Sequence, residues 1–126
     1  MDTAVKNALD SGGIIDITTW GARSGTARRI EIVFHQFDGS YYITGKPGVK
    51  RDWLANLNAN PGFTVHLKRG LTADVAATAK EITDEGQRAK VLYRILTESW
   101  GNEPAKADHI LPRWVEDAPL VEFTVA

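Results

Sequence analysis

The sequence predicts a mainly β (α+β) fold, a closed or partly open barrel of about six antiparallel strands with two helices. Short runs rich in β-branched and aromatic residues recur along the chain and are bounded by turn residues, as strands commonly are. Most of these runs follow one another directly, which favours antiparallel neighbours over the long crossovers of a parallel sheet. The 126 residues contain no linker, repeat or low-complexity tract, so a single domain over residues 1–126 is expected.

The first half of the chain supplies three predicted strands and one helix. In the second strand, Ile32 and Phe34 alternate with polar or smaller residues, which indicates one buried face. The Asp38-Gly39 pair that follows is a strong hairpin signal. Apolar residues at helical spacing around Trp53 then predict a helix that stops at a Pro-Gly pair. The predicted strands cover residues 14–19, 29–37 and 40–45, and the helix lies within residues 49–62.

The second half supplies two strands, the second helix and a closing strand. An Arg-Gly turn separates two runs of β-rich sequence, and either Thr83 or Asp84 can cap the helix that follows. Apolar residues from Val91 to Leu96 form one stripe of that helix, which should end near Trp100. The predicted strands cover residues 63–68, 71–82 and 120–126, and a short segment spans residues 109–115.

Composition excludes several classes of function. The formal net charge of -1 argues against a protein that binds nucleic acid through bulk electrostatics. The chain has no cysteine, so disulfides and thiolate chemistry are excluded. Neither a signal peptide nor a membrane span is visible, and we expect a cytoplasmic protein. His35, His66 and His109 lack metal-ligand spacing, so no metal site is predicted.

Two basic connections stand out in this plan. The link between the first two strands, residues 20–29, is longer than a hairpin needs and carries three arginines. The link between the third strand and the first helix carries Lys46, Lys50 and Arg51 beside two glycines. In an antiparallel meander these two links lie at the same end of the sheet, so their charges converge. Either they form an anion-binding site or each is a solvated basic surface.

The same residues carry a family resemblance. The segments "TTWGARSGTARR", "ITGKPGVKRDWLANLNANP" and "GFTVHLK", in this order, resemble the deazaflavin-dependent nitroreductase-like oxidoreductases. Members of that family are split β-barrels related to the pyridoxamine-phosphate-oxidase and FMN-binding barrels, and they bind coenzyme F420. The resemblance covers residues 14–68. It implies an F420H2-dependent reductase that transfers a hydride to an enone, quinone or nitro compound, and a homodimer.

The resemblance also implies which residues hold the cofactor. Arg23, Ser24, Gly25 and Arg28 occupy the motif positions that would bind the phosphate and the polyglutamate tail. Lys46 and its neighbours would contact the deazaflavin ring or the phosphate. The cofactor-binding candidates are Trp20, Arg23, Ser24, Gly25, Arg28, Arg29, Thr44, Gly45, Lys46, Lys50, Arg51 and Trp53.

No residue is assigned to catalysis from the sequence. Tyr42, Tyr93 and His109 are candidates for a proton donor to the reduced acceptor, and Trp100 and Trp114 are candidates for an aromatic pocket. His35 and His66 are interpreted as structural histidines of strands.

Two alternatives stay open at this stage. One is a split barrel that carries the coenzyme or a related tetrapyrrole without turnover. The other is an FMN-dependent oxidoreductase of the related barrels, in which an arginine and a lysine hold one phosphate. Basic residues spread over two connections exceed what a single phosphate needs, which favours F420 over FMN.

Overall fold

Six antiparallel strands form the centre of the molecule, which is described by a computed structural model over residues 2–126. The strands are β1 (Gly13–Trp20), β2 (Ala27–Phe37), β3 (Ser40–Thr44), β4 (Gly62–Leu67), β5 (Ala73–Glu81) and β6 (Leu120–Val125). They close into a barrel in the order β1-β2-β3-β6-β5-β4. Each described pair of neighbours is antiparallel. The barrel and its six strands are therefore confirmed.

The alternation of residues along β2 decides what fills the barrel. Ile30 and Ile32 lie opposite Ile17 and Ile15 of β1, and Phe34 lies next along the same face. These side chains point into the barrel, where Ile15, Ile17 and Phe34 are almost completely buried. Removal of this apolar surface from water is the main force that closes the barrel. The outward face of β2 is consequently left to Arg29, Glu31, Val33 and His35.

Within residues 2–126, four α-helices accompany the barrel, two more than the sequence predicted. They are α1 (Thr3–Ser11), α2 (Asp52–Ala59), α3 (Glu85–Arg94) and α4 (Pro104–Asp117), and a π-helical turn, Ile95–Ser99, continues α3. Helices α2 and α3 are the predicted ones, and Asp84 caps α3 through the Gln87 amide. Helix α4 replaces the expected short segment at residues 109–115. The prediction missed its length because Pro112 lies inside it, and proline normally interrupts a helix.

A second apolar core lies outside the barrel, between β3, β6 and the helices α3 and α4. Tyr42, Leu92, Leu96, Trp114 and Leu120 are among its buried side chains. This core fixes both helices beside the outer face of β2 and β3. A groove between barrel and helices is the result.

One buried arginine ties the two helices together. The Arg88 guanidinium donates hydrogen bonds to the carbonyls of Ile82, Trp114, Val115 and Ala118. Four backbone carbonyls therefore satisfy this side chain, and its role in the fold is structural.

No helix within residues 2–126 is long and apolar enough to cross a membrane.

Candidate active site

A groove of about 550 Å³ opens between the barrel and the helices. Its floor is the outward face of β2 and β3, with Val33, His35 and Thr44. Its walls come from the π-helical turn and α4, and they carry the Trp100 and Trp114 rings, whose centroids are 5.3 Å apart. Two smaller cavities of about 360 and 490 Å³ share lining residues with it, so the three form one continuous groove. The other residues of the central part are Gly45, Lys46, Arg51, Leu96, Asn102, Lys106 and Ile110.

Cationic side chains surround the apolar walls of this groove. Lys46 and Arg51 come from the β3–α2 connection, and Lys106 comes from α4. Arg113 of α4 lines the adjoining cavity of about 490 Å³. Lysine and arginine groups at the rim of an apolar cleft suit a flat ligand with phosphate or carboxylate substituents.

The β3–α2 connection is folded so that Arg51 faces the groove. The Arg51 guanidinium donates hydrogen bonds of 3.0 Å to the carbonyls of Lys46 and Val49. A Cβ atom at Gly45 would lie 2.6 Å from that guanidinium. Glycine at position 45 therefore leaves room for the arginine to cross the loop.

The same connection is fastened to α4 by a second glycine. The amide of Gly48 donates a 2.6 Å hydrogen bond to the Asp117 carboxylate, and its φ of 79° is one that glycine adopts readily. This contact holds the loop that carries Lys46 against the helix that carries Lys106. The cations of the groove thus come from two elements in contact.

His35 is a buried polar residue on the groove floor. It is 5% exposed, its Nδ1 lies 3.0 Å from the Ser99 hydroxyl oxygen, and the Trp100 ring meets it edge-on at 5.4 Å. Its Nε2 has no hydrogen-bond partner within the described part of the chain. Burial lowers the pKa of His35 to about 4, so the imidazole is neutral at pH 7.

The sequence interpretation treated His35 as a structural strand histidine and did not include it in the site. The alternation of β2 places position 35 on the face opposite Phe34, and that much is readable from the sequence. Which element covers the outward face depends on α4, and α4 was not predicted.

The β1–β2 connection lies at the same end of the barrel but outside the groove. Asn56 of α2 holds it by accepting a hydrogen bond from the Ala22 amide at 3.0 Å. Arg23 and Arg28 are exposed and pair with no carboxylate in the described ranges. The predicted contacts Ser24 and Gly25 lie at the tip of this loop, also exposed.

Arg29 differs from Arg28 in being paired. Its Nε lies 2.9 Å from an Asp16 oxygen, and Lys68 contacts the other Asp16 oxygen at 2.7 Å. Lys68 and Arg29 together lower the pKa of Asp16. Arg29 therefore belongs to an ion-pair cluster on the outward face of the barrel, which also includes Glu31.

The remaining candidates are scattered over the molecule. Trp53 is buried in the barrel core, whereas Trp20 is exposed at the end of β1. Tyr42 and Tyr93 belong to the core between helices and barrel. His109 lines the cavity that adjoins the groove, and Thr44 lies on the groove floor, where its hydroxyl donates to the Pro119 carbonyl.

Lys50 lies in a different cavity. That cavity measures about 910 Å³ and is bounded by α2, the start of α3 and the end of α4. Its cations are Lys50, Arg51 and Arg88, of which Arg88 is already bound to backbone carbonyls. Four carboxylates line it as well and disfavour an anionic ligand: Glu81, Glu85, Glu116 and Asp117. Despite its larger volume, it suits the predicted cofactor less well than the groove. Within residues 2–126 no three His, Asp or Glu side chains are grouped to hold a metal ion.

The fold and the groove define a class of protein: a split β-barrel with an apolar groove, rimmed by cationic side chains, on its outer face. The split-barrel prediction is confirmed, and matching structures include one described as of the pyridoxamine 5′-phosphate oxidase type from Listeria innocua. The model of the F420H(2)-dependent quinone reductase family matches residues 2–117. The chain belongs to that family. The resemblance found in residues 14–68 is thereby confirmed.

Solved structures show the same fold at low sequence identity. A conserved hypothetical protein, Rv2991 of Mycobacterium tuberculosis, aligns with TM-score 0.74 at 15% identity over 99% of this chain and 81% of its own. HutZ, the heme storage protein of Vibrio cholerae, aligns with TM-score 0.66 at 13% identity over 99% and 89%. An F420-H2 dependent reductase, FDR-A, aligns with TM-score 0.57 at 23% identity over 90% and 94%. A comparison with curated proteins gave no significant match.

Proposed function

We propose that this chain is an F420H2-dependent reductase that binds its cofactor in the groove and reduces a quinone or another electron-poor acceptor there. The family match over residues 2–117 is the observation that carries this proposal. An F420-dependent reductase is the function of that family. The choice of acceptor, the location of the cofactor and the turnover itself are the proposed part.

The residues of the groove fit the chemistry of F420, which combines a flat deazaflavin ring with a phosphate and a polyglutamate tail. Val33, Ile110 and the two tryptophans offer apolar and aromatic surface for the ring. The rim cations offer charge-assisted hydrogen bonds to the phosphate. His35 and Thr44 are the polar residues of the same floor.

The tail has a proposed path from the groove toward the β1–β2 connection. That connection lies at the same barrel end as Lys46, because β1, β2 and β3 are consecutive antiparallel strands. We propose that Arg23 and Arg28, with Ser24 and Gly25 between them, bind the outer carboxylates of the tail. Arg29 contributes less, because Asp16 already pairs with it.

The bound cofactor supplies a hydride, and the chain supplies binding, orientation and exclusion of water. Trp100 and Trp114 contact each other beside the floor, so together they offer one aromatic wall against which a flat ligand can pack. Lys46 and Arg51 neutralise negative charge that the reaction brings into the groove. Hydride transfer is fast only when donor and acceptor are held close together. The fold would therefore accelerate the reaction by holding both in this groove.

A homodimer is part of the proposal. The large side chain of Trp20 is 36% exposed on the outward face of the barrel, outside the groove. One matching structure is described as a domain-swapped dimer. Sedimentation velocity over a range of protein concentration measures the assembly, and a monomer throughout would contradict it. The cytoplasmic location stays a prediction.

The test of function is a fluorescence titration with F420 beside FMN, followed by turnover of F420H2 with menadione. The expected result is tight F420 binding that weakens with salt, little FMN binding, and oxidation of F420H2 that depends on the protein. Preferred FMN binding would support the flavin alternative. F420 binding without turnover of any acceptor would support the carrier alternative.

A further inference from the structure

We propose that His35 is a catalytic residue that donates a hydrogen bond from Nε2 to a carbonyl oxygen of the electron acceptor. The inference rests on the proposed function, and it names the group that recognises the acceptor. Nothing in the loop motifs points to this residue. Its position, its partners and its unused donor carry the argument.

His35 lies at the border of the groove and is otherwise enclosed by the protein. It lies on the outward face of β2, opposite Tyr42 of β3, and it lines both the groove and the adjoining cavity of about 360 Å³. Trp100 covers one side of the imidazole. With 5% of its surface exposed, the ring borders the groove while Nε2 itself is covered. A shift of the neighbouring Trp100 side chain, which is 43% exposed, is therefore part of the proposal, because it opens Nε2 to the acceptor.

The proposed role requires one tautomer of the ring, with the proton on Nε2. The Ser99 hydroxyl lies 3.0 Å from Nδ1 and has no other hydrogen-bond partner in the part of the chain that the structure describes. A serine hydroxyl can donate to Nδ1 or accept from it. We take Ser99 as the donor, which places the ring proton on Nε2. In that tautomer the Nε2–H group is a buried donor without an acceptor within residues 2–126. Such groups are rare in folded proteins and indicate a missing partner.

The charge state makes His35 a donor of hydrogen bonds rather than of protons. Burial holds the imidazole neutral at pH 7, and among the residues that the structure describes no carboxylate lines the central groove to stabilise the charged form. A neutral imidazole releases its last proton with great difficulty, so it polarises a carbonyl and keeps the proton. Ligands with an oxygen acceptor at this place are favoured over hydrocarbons of the same shape.

The reduction of a quinone brings negative charge to such an oxygen. The C–H bond that carries the hydride breaks in the reduced deazaflavin, which is oxidised by two electrons, and the hydrogen forms a bond to one quinone oxygen. The second oxygen gains the negative charge and then takes a proton from water, which completes the hydroquinone. A hydrogen bond from His35 to that second oxygen is stronger in the transition state than in the ground state.

The first test uses the wild-type protein and needs no turnover. Nitrogen NMR of histidine-labelled protein at pH 7 should show a neutral His35 protonated at Nε2. Menadione should shift this Nε2 signal, and 2-methylnaphthalene, which has the same ring system without carbonyls, should leave it in place. A proton on Nδ1, or the same response to both compounds, would overturn the inference.

The second test uses His35→Phe, His35→Gln and the control His66→Phe. His66 is also a buried strand histidine, but it binds Thr18 and Asp74 away from the groove. We expect His35→Phe to lower kcat with menadione about 100-fold, His35→Gln to restore part of it, and the control to match wild type. If His35→Phe still binds F420 and keeps the kcat of wild type, the role of His35 is overturned while the proposed function stands. Failure of wild type to bind F420 would instead overturn the proposed function.

Discussion

The two basic connections look alike in the sequence and differ in the folded molecule. The β1–β2 connection carries Arg23 and Arg28 into solvent, whereas the β3–α2 connection places Lys46 and Arg51 at the rim of a groove. The difference comes from α4, which covers one connection and leaves the other open. A charged loop becomes a binding site when another element supplies its second wall, since charge in a cleft is screened less than charge in water.

The largest expected effect concerns the buried histidine of the groove, which has no counterpart in the open connection. His35 has a pKa of about 4 in place of 6.5, so the unfolded chain binds more protons between these pH values and stability falls as the pH falls. The free energy of unfolding should lose about 2 to 3 kcal/mol through this group between pH 7 and about pH 4.5. Urea unfolding of wild type and His35→Gln at both pH values measures this loss. An equal pH dependence in the two proteins would contradict it.

Removal of a rim cation should show the advantage of the groove directly. Lys46→Ala and Lys106→Ala should each weaken F420 binding by about 1 to 3 kcal/mol, because a charge-assisted hydrogen bond is lost in a partly enclosed site. The control is Lys90→Ala, an exposed lysine of α3 outside the groove. Fluorescence titration of the three variants measures the effect, and equal affinities would refute the groove as the anion site.

A smaller effect is expected when Arg51 is displaced without being removed. In Gly45→Ala the new methyl group would meet the Arg51 guanidinium at 2.6 Å, and the flexible side chain must move away. F420 affinity should fall by about 1 kcal/mol with little change in thermal stability. Gly62→Ala is the matched control, since nothing lies within 4 Å of its Cβ position. An equal loss of F420 affinity in both variants would mean that alanine acts through the backbone and not through Arg51.

The smallest effect is expected in the open connection, where two adjacent arginines can be compared. Arg28→Ala should weaken F420 binding by about 0.5 kcal/mol at low salt, and the difference should vanish at high salt. Arg29→Ala should change affinity less, because Asp16 already pairs with Arg29. If Arg28→Ala weakens F420 binding more than Lys46→Ala does, the β1–β2 connection contributes more to binding than the β3–α2 connection, which contradicts this account.

Much of the barrel was predictable from local signals. Alternation around Ile32 and Phe34 marks a half-buried strand, and the Asp38-Gly39 pair fixes a hairpin in which both residues adopt positive φ. The two basic connections also follow from the order of the strands. These features depend on residues close together in the sequence, which is why the sequence suffices for them.

The groove was less predictable because it depends on distant elements. Pro112 masked the length of α4. Helix α1, by contrast, carries Val5, Ala8 and Leu9 at helical spacing behind an Asp2 cap, a local signal that the prediction did not use. His35 could be placed on the outward face of β2, but its burial requires Ser99 and Trp100, which are more than sixty residues away in the chain. The spacing of residues along the sequence does not reveal tertiary contacts of this kind.

The most direct test of the groove uses the four tryptophans as reporters of ligand position. Trp100 and Trp114 line the groove, Trp20 marks the β1–β2 connection, and Trp53 lies in the barrel core. On titration with F420, the indole N–H signals of Trp100 and Trp114 should shift most, Trp20 slightly and Trp53 least. Shifts confined to Trp20, or no shift at Trp100 and Trp114 when F420 is bound, would contradict the location of the cofactor in the groove.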